Sequence, residues 1–288
     1  MTRSSSARRW SIAVAIGVVV SCVSVVLGSA LAPGGVPTLA RFARAAFSPD
    51  LSITYLSRTL DATLTTLAFS VLGTAVAVVI GFFGGVVMSE GWWRSRAGWL
   101  TTRLAFALPR GVHETVWAVA LLLVLGRDPL VGVLAIGIPF GAITAKVYAE
   151  IIDETPADPS QALRLAGAGA IAAFAYGTLP RVWKDFVSYA FYRLDCSLRA
   201  SVILGMLGVG GLGFELSTAF QGLAFERMWT VMYALLIVGL ACEWWSRKLR
   251  APSRRFMRGS AIAIAVLVIV SAVRCLLYTS DAADDMQC

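Results

Sequence analysis

Along the chain, apolar runs of about the length of a membrane-crossing helix alternate with short polar segments. A helix needs about 20 mostly apolar residues to cross roughly 30 Å of hydrocarbon. The first such run, Trp10 to Ala32, follows Arg8-Arg9 and stops at Pro33-Gly34-Gly35. Polar sequence from Arg41 to Asp61 then leads into a second run, Ala62 to Met88, which closes on Glu90-Gly91-Trp92-Trp93-Arg94-Ser95-Arg96. Aromatic and basic residues of this kind suit a membrane interface. After a break at Pro109-Arg110-Gly111, the pattern predicts a third span over Val112 to Gly126, and a fourth over Leu130 to Ala149 after the turn Arg127-Asp128-Pro129. The longest polar stretch, Glu150 to Arg199, is too mixed in charge to cross lipid, and its Asp158-Pro159 marks a helix start. Ala200 to Phe220, interrupted by glycines, and Met228 to Trp245 are the next predicted spans, and a final apolar run begins at Gly259. The expected fold is an all-α integral membrane protein: a polytopic helical bundle of about six spans plus a truncated further span.

Composition agrees, with 58% hydrophobic and 15% charged residues and a mean hydropathy of +0.75, against the roughly 25% charged share of soluble domains. The net charge of +8 does not point to nucleic acid, because the basic residues cluster between apolar runs. With residues 1–9 in the cytoplasm and sides alternating thereafter, cytoplasmic segments hold 19 Lys and Arg and the opposite side 5. That asymmetry follows the positive-inside rule and places 150–199 in the cytoplasm of a multi-pass protein of the cell (inner) membrane. Cys22, Cys196 and Cys242 show no paired or metal-ligand spacing, so neither a disulfide framework nor a metal site is expected; no cofactor is expected either. Residues 275–288 read as an in-frame transposon-end sequencing adapter and stand outside the fold reading. Residues 251–274 are then the start of a further span. The likeness of Arg8-Arg9-Trp10 to Arg254-Arg255-Phe256 is either chance or the start of a second homologous half.

The polar stretch carries the candidate chemistry. Ser160 to Gly167 can form a short helix, Gly167 and Gly169 a bend, Ala170 to Tyr176 a second helix, and Pro180 the start of the next element. This loop resembles that of binding-protein-dependent ABC permeases of the methionine-importer-like superfamily. Their pattern reads Glu-Ala-Ala, three residues, Gly, nine residues, Ile, one residue, Leu-Pro. Here Gln161-Ala162-Leu163, Gly167 and Leu179-Pro180 fall at that spacing, with Gln161, Leu163 and Gly177 as departures. Gln161 keeps the polar reach of Glu but removes its charge.

Within that superfamily the chain is most similar to phosphonate-type permeases, over roughly residues 56–250. The phrases that carry the likeness are Leu108-Pro109-Arg110 with Val116-Trp117-Ala118, Gly177-Thr178-Leu179-Pro180, Phe191-Tyr192-Arg193 with Ser197-Leu198-Arg199-Ala200, and Ile203-Leu204-Gly205 with Gly208-Val209-Gly210-Gly211-Leu212-Gly213. The resemblance implies import of a phosphonate or related phosphorus oxyanion. It implies as partners a cytoplasmic ABC ATPase docking on 161–180, an extracytoplasmic substrate-binding protein, and a second permease subunit as homodimer or pseudo-dimer. The chain itself is expected to be no enzyme: it carries no GxxxxGK[ST] loop and no catalytic triad or carboxylate pair.

Gly208 to Gly213 matches GxGxxG but lies in an apolar run, so close packing or a broken helix beside the pathway is the expectation, together with Gly205. Gly81 with Gly85 and Gly137 with Gly141 fit GxxxG, where packing is favoured over a substrate role. His113-Glu114 reads as an interface or structural pair before a proton relay, and Arg58 and Asp61 as oxyanion or binding-protein contacts or as interface anchors. Arg193, Asp195 and Arg199 are expected to form a cytoplasmic charged face. Permeases for other small solutes, an ion-coupled carrier and a non-transporting scaffold are the competing classes.

Overall fold

The computed structural model describes residues 14–24, 35–93, 95–126, 128–250 and 266–273; among them every regular element is helical. In chain order the α-helices are α1 (Val14–Ser24), α2 (Gly35–Ala45), α3 (Ile53–Met88), α4 (Arg96–Gly111), α5 (Glu114–Leu125), α6 (Pro129–Glu154), α7 (Asp158–Leu165), α8 (Ala170–Ala173), α9 (Leu179–Leu204), α10 (Leu212–Gln221), α11 (Phe225–Arg250) and a last helix over 266–273.

The centre of the bundle is the pair α3 and α6. Thirty-six residues of α3 rise about 54 Å at 1.5 Å each, so the helix is longer than the roughly 30 Å of hydrocarbon that a span crosses. Helix α6 starts where Asp128 accepts from the Leu130 N–H at 2.7 Å, with Pro129 in its first turn. The two helices approach through glycine: a Cβ on Gly81 would fall 2.4 Å from Thr144, one on Gly141 2.8 Å from Ile80, and one on Gly85 2.6 Å from Tyr148. The glycines of both GxxxG pairs therefore lie on this contact, where small residues let helix backbones close in. Val131, Ala135, Ile136 and Ala145 are fully buried against it.

Helix α9 packs across α3 and α6. The Tyr148 ring stacks on Phe186 at 3.9 Å and its hydroxyl donates to the Phe186 carbonyl at 2.8 Å. At the opposite end, α11 is tied to α2 and to the start of α3. Trp229 donates to the Phe42 carbonyl at 2.8 Å, Tyr233 to Ala46 at 2.7 Å, and Thr230 to Asp50 at 2.9 Å.

Several boundaries differ from the sequence reading. Val112 to Gly126 is not a span by itself: α5 has 12 residues, about 18 Å, and continues from α4 through a bend of 82°. The stretch 150–199 is not one polar loop, because α9 takes its last 21 residues into the bundle, burying Val182, Phe186, Phe191 and Ser197. Ala200 to Phe220 is correspondingly the second half of a broken element, α9 followed by α10 at 56°. Among the described residues, three helices meet the length and apolarity of a span, or up to five when each bent pair is taken as one. The expected first span, 10–32, coincides with described structure only at α1 and is otherwise outside the described residues, as are 1–9, 251–265 and 274–288.

Candidate functional site

The segment between α6 and α9 folds as a small projecting knob. Helix α7 opens on Asp158-Pro159 and closes on Gly167, whose φ of +92° is a left-handed conformation. The Ala168 N–H bonds to Leu163 O at 2.9 Å and the Gly167 N–H to Arg164 O at 3.0 Å. This crossed pair is the Schellman termination that glycine permits. No atom lies within 4 Å of a Cβ placed on Gly167, so conformation alone selects glycine here.

After Gly169 the chain forms α8, a π-helical turn over Phe174–Thr178, and α9 without interruption. The second helix expected over Ala170 to Tyr176 is thus the first turn of a longer rod, with Leu179-Pro180 inside its run. Gly177, where the resembled pattern has Ile, is packed against α7: a Cβ there would fall 2.8 Å from Ser160 Cα. The departure has a local cause, since the π turn and the first turn of α7 touch backbone to backbone. Arg181 adds a bond to the Pro156 carbonyl at 3.2 Å.

The knob displays its apolar side chains. Leu165 is 90% exposed, Tyr176 80% and Ile171 76%, while Gln161 and Ala162 are exposed beside them. Sequence reading singled out the backbone-determining positions and did not single out these three exposed apolar residues. Their signal was present as apolar residues in an otherwise polar segment.

The second feature is the glycine-rich break at the other end of α9. The helix runs into a π turn, Gly205–Val209, and bends by 56° into α10 through Gly208 (φ +99°), Gly210 (φ +113°) and Gly211 (φ +78°). The backbone is packed so closely at this break that a Cβ on Gly213 would meet the Val202 carbonyl oxygen at 1.9 Å and one on Gly205 the Gly210 oxygen at 2.6 Å. The Leu212 N–H at the head of α10 donates to Thr66 Oγ1 on α3 at 2.8 Å. Arg58 of α3 donates from Nε to Glu215 of α10 at 2.7 Å.

Between these ends, α3 and α9 are joined by hydroxyls. Ser70 donates to Ser201 at 2.9 Å and Thr74 to Ser197 at 2.8 Å, all four buried. One turn further along α9, Arg193 is 9% exposed. Its guanidinium donates to the Tyr189 hydroxyl from Nε at 2.9 Å and also from Nη2, among the rings of Phe140, Tyr189 and Tyr192. This corrects the expected charged face: Arg193 is inside the bundle, and only Asp195 and Arg199 form an exposed pair, at 2.9 Å. His113 caps α5, accepting from Thr115 N–H at 3.3 Å, with Nε2 3.5 Å from Glu114. Asp61 is exposed on α3. A groove of about 690 Å³ runs between α9 and α11, lined by Thr66, Tyr192, Val202, Leu235 and Gly239 among others.

No protein-family model matches the chain. Among curated proteins it is 30% identical over 218 residues to the phosphite transport system permease protein PtxC of Stutzerimonas stutzeri, covering 75% of this chain and 78% of that one. It is 31% identical over 216 residues to the putative phosphite transport system permease protein HtxC of the same organism, covering 75% and 76%. It is 30% identical over 173 residues to the phosphate-import permease protein PhnE of Mycolicibacterium smegmatis, covering 60% of this chain and 32% of that one. Among solved structures, an inward-facing MetNI methionine ABC transporter chain superposes with a TM-score of 0.60 at 20% identity, covering 71% of this chain and 100% of that one. A chain of an amino acid ABC transporter with histidines gives 0.54 at 18%, covering 68% and 97%.

Proposed function

Because the chain belongs to the phosphite- and phosphonate-type permease subunits of ABC transporters, we propose that it passes a phosphorus oxyanion inward across the cell membrane, powered by a separate ATPase. The knob over 161–180 supports the ATPase-driven part of this reading, because it displays three exposed apolar side chains, Leu165, Ile171 and Tyr176, on a polar projection where a partner protein can cover them. The ATPase is assigned to that surface on the cytoplasmic side, and residues 1–9 are assigned to the cytoplasm with it, a placement supported by the 19-against-5 distribution of Lys and Arg. Since α8, the π turn and α9 are one continuous rod, displacement of the knob is carried along α9 to the glycine break. A second permease subunit completes the passage, and an extracytoplasmic binding protein delivers the anion to the end where α3 begins.

Pro at position 167 fixes φ near −65° and removes the N–H that bonds to Arg164. Gly167→Pro is expected to abolish uptake of labelled phosphite while the chain still accumulates in the membrane. Normal uptake by that variant removes the coupling role from the knob.

A further inference from the structure

The pair Arg58 and Glu215 is asymmetric in a way that a surface ion pair is not. The Arg58 side chain is 60% exposed and the Glu215 side chain 10%. The carboxylate is therefore held in a buried position by a cation that faces outward. The pair lies at the end of the bundle opposite the knob, since α3 starts beside α11 through Asp50 and Thr230 and ends near Asp153 of α6 through Glu90.

Helix α10, which carries Glu215, is connected to α9 through three glycines in left-handed conformation, Gly208, Gly210 and Gly211. A hinge needs residues that absorb large changes in φ and ψ, and glycine does so at no steric cost. Two polar ties hold α10 on α3: the Leu212 N–H on Thr66 and the Glu215 carboxylate on Arg58.

We propose that Arg58 is an oxyanion-contact residue and that its pairing with Glu215 is a latch opened by the arriving anion. The proposal rests on the phosphorus-oxyanion importer reading above and adds the residue that meets the substrate and the element that responds. A guanidinium carries five N–H donors in a planar fork suited to carboxylate and phosphorus oxyanion alike, and Glu215 engages Nε. A doubly charged phosphite or phosphonate competes with the carboxylate for the fork. Once Arg58 turns to the substrate, Glu215 is a buried carboxylate without its counter-charge, which strongly disfavours the docked position of α10. Movement about Gly208–Gly211 relieves this and frees Thr66, which stands both under α10 and in the lining of the α9–α11 groove. Substrate arrival is thereby linked to access to the groove.

The test compares labelled phosphite uptake and membrane levels in cells expressing the full chain with its partner subunits as wild type, R58Q, R58K and the charge swap R58E/E215R. A charge-assisted hydrogen bond corresponds to about tenfold or more in affinity, so R58Q is expected to lose at least about that much uptake and R58K to retain part of it. The swap restores a pair but sets an anion outward, so it is expected to return membrane levels while uptake stays low. Uptake near wild type in the swap, or in R58Q, overturns the latch. A second measurement keeps the native pair: the full chain in nanodiscs, labelled with an environment-sensitive fluorophore at T218C on the exposed side of α10. Phosphite or methylphosphonate is expected to shift its emission saturably, with no shift for chloride or in R58Q; absence of a shift also overturns the latch. Absence of uptake by wild type, with the shift intact, counts against the importer reading and leaves the latch standing.

Discussion

Arg193 holds a buried guanidinium with one phenol oxygen and three aromatic faces. No carboxylate lies within 4 Å of it among the described residues. A charge so deep in a bundle is stable only while those partners stay in place. Tyr189→Phe deletes the acceptor, and the expected loss is about 1.5–3 kcal/mol, read as a lowered thermal transition of the detergent-solubilised chain. Gly213 is constrained from the other direction: with Val202 O 1.9 Å from where a Cβ would sit, Gly213→Ala forces backbone apart. An overpacking loss of about 3 kcal/mol is expected, visible as reduced membrane accumulation, whereas Gly239→Ala, with nothing within 4 Å, leaves the level unchanged. At this scale the sequence marked both residues through their phrases, but it could not say that one arginine of a charged group turns inward. Hydrophobic periodicity carries no information about which ring or hydroxyl will face a given turn.

Among elements, the knob was legible and the helix that follows it was not. Gly167 and Asp158-Pro159 are backbone signals that act locally, so spacing located the bend and the start of α7, whereas Leu179-Pro180 falls inside a continuous helical run. Helix α9 carries Lys184, Asp185, Asp195 and Arg199, and this charge masks the buried face formed by Val182, Phe186 and Ser197. Its contact with α3 is polar as well, through Thr74 with Ser197 and Ser70 with Ser201. A double-mutant cycle on Thr74→Ala and Ser197→Ala is expected to give a coupling of about 0.6 kcal/mol, read from thermal unfolding. Additivity would show that the two hydroxyls do not act as a pair.

For the molecule as a whole, the corner where the α2–α3 connection meets α11 is held partly by charge. Asp50 accepts from the Ser52 N–H at 3.0 Å and lies 3.2 Å from Arg227. The Ser52 hydrogen bonds, and secondarily Arg227, hold its carboxyl below the ordinary value. A carboxyl depressed in the folded state supports the fold above its unfolded pKa, and that support disappears as pH falls through the lower folded value. Wild type is therefore expected to lose stability below about pH 4, and Asp50→Asn to show a weaker acid dependence, as followed by thermal unfolding across pH. The chain by itself determined that this is a helical membrane protein, where the knob lies, and which glycines matter. Apolar run length, charge placement and turn chemistry are properties of neighbouring residues. The tertiary structure alone decided that α4 and α5 meet at a bend of 82°, that α9 enters the bundle with Arg193 inside, and that Arg58 meets Glu215 across 157 residues. Those outcomes depend on which helix faces fit one another, and packing of that kind exists only once the helices have been brought together.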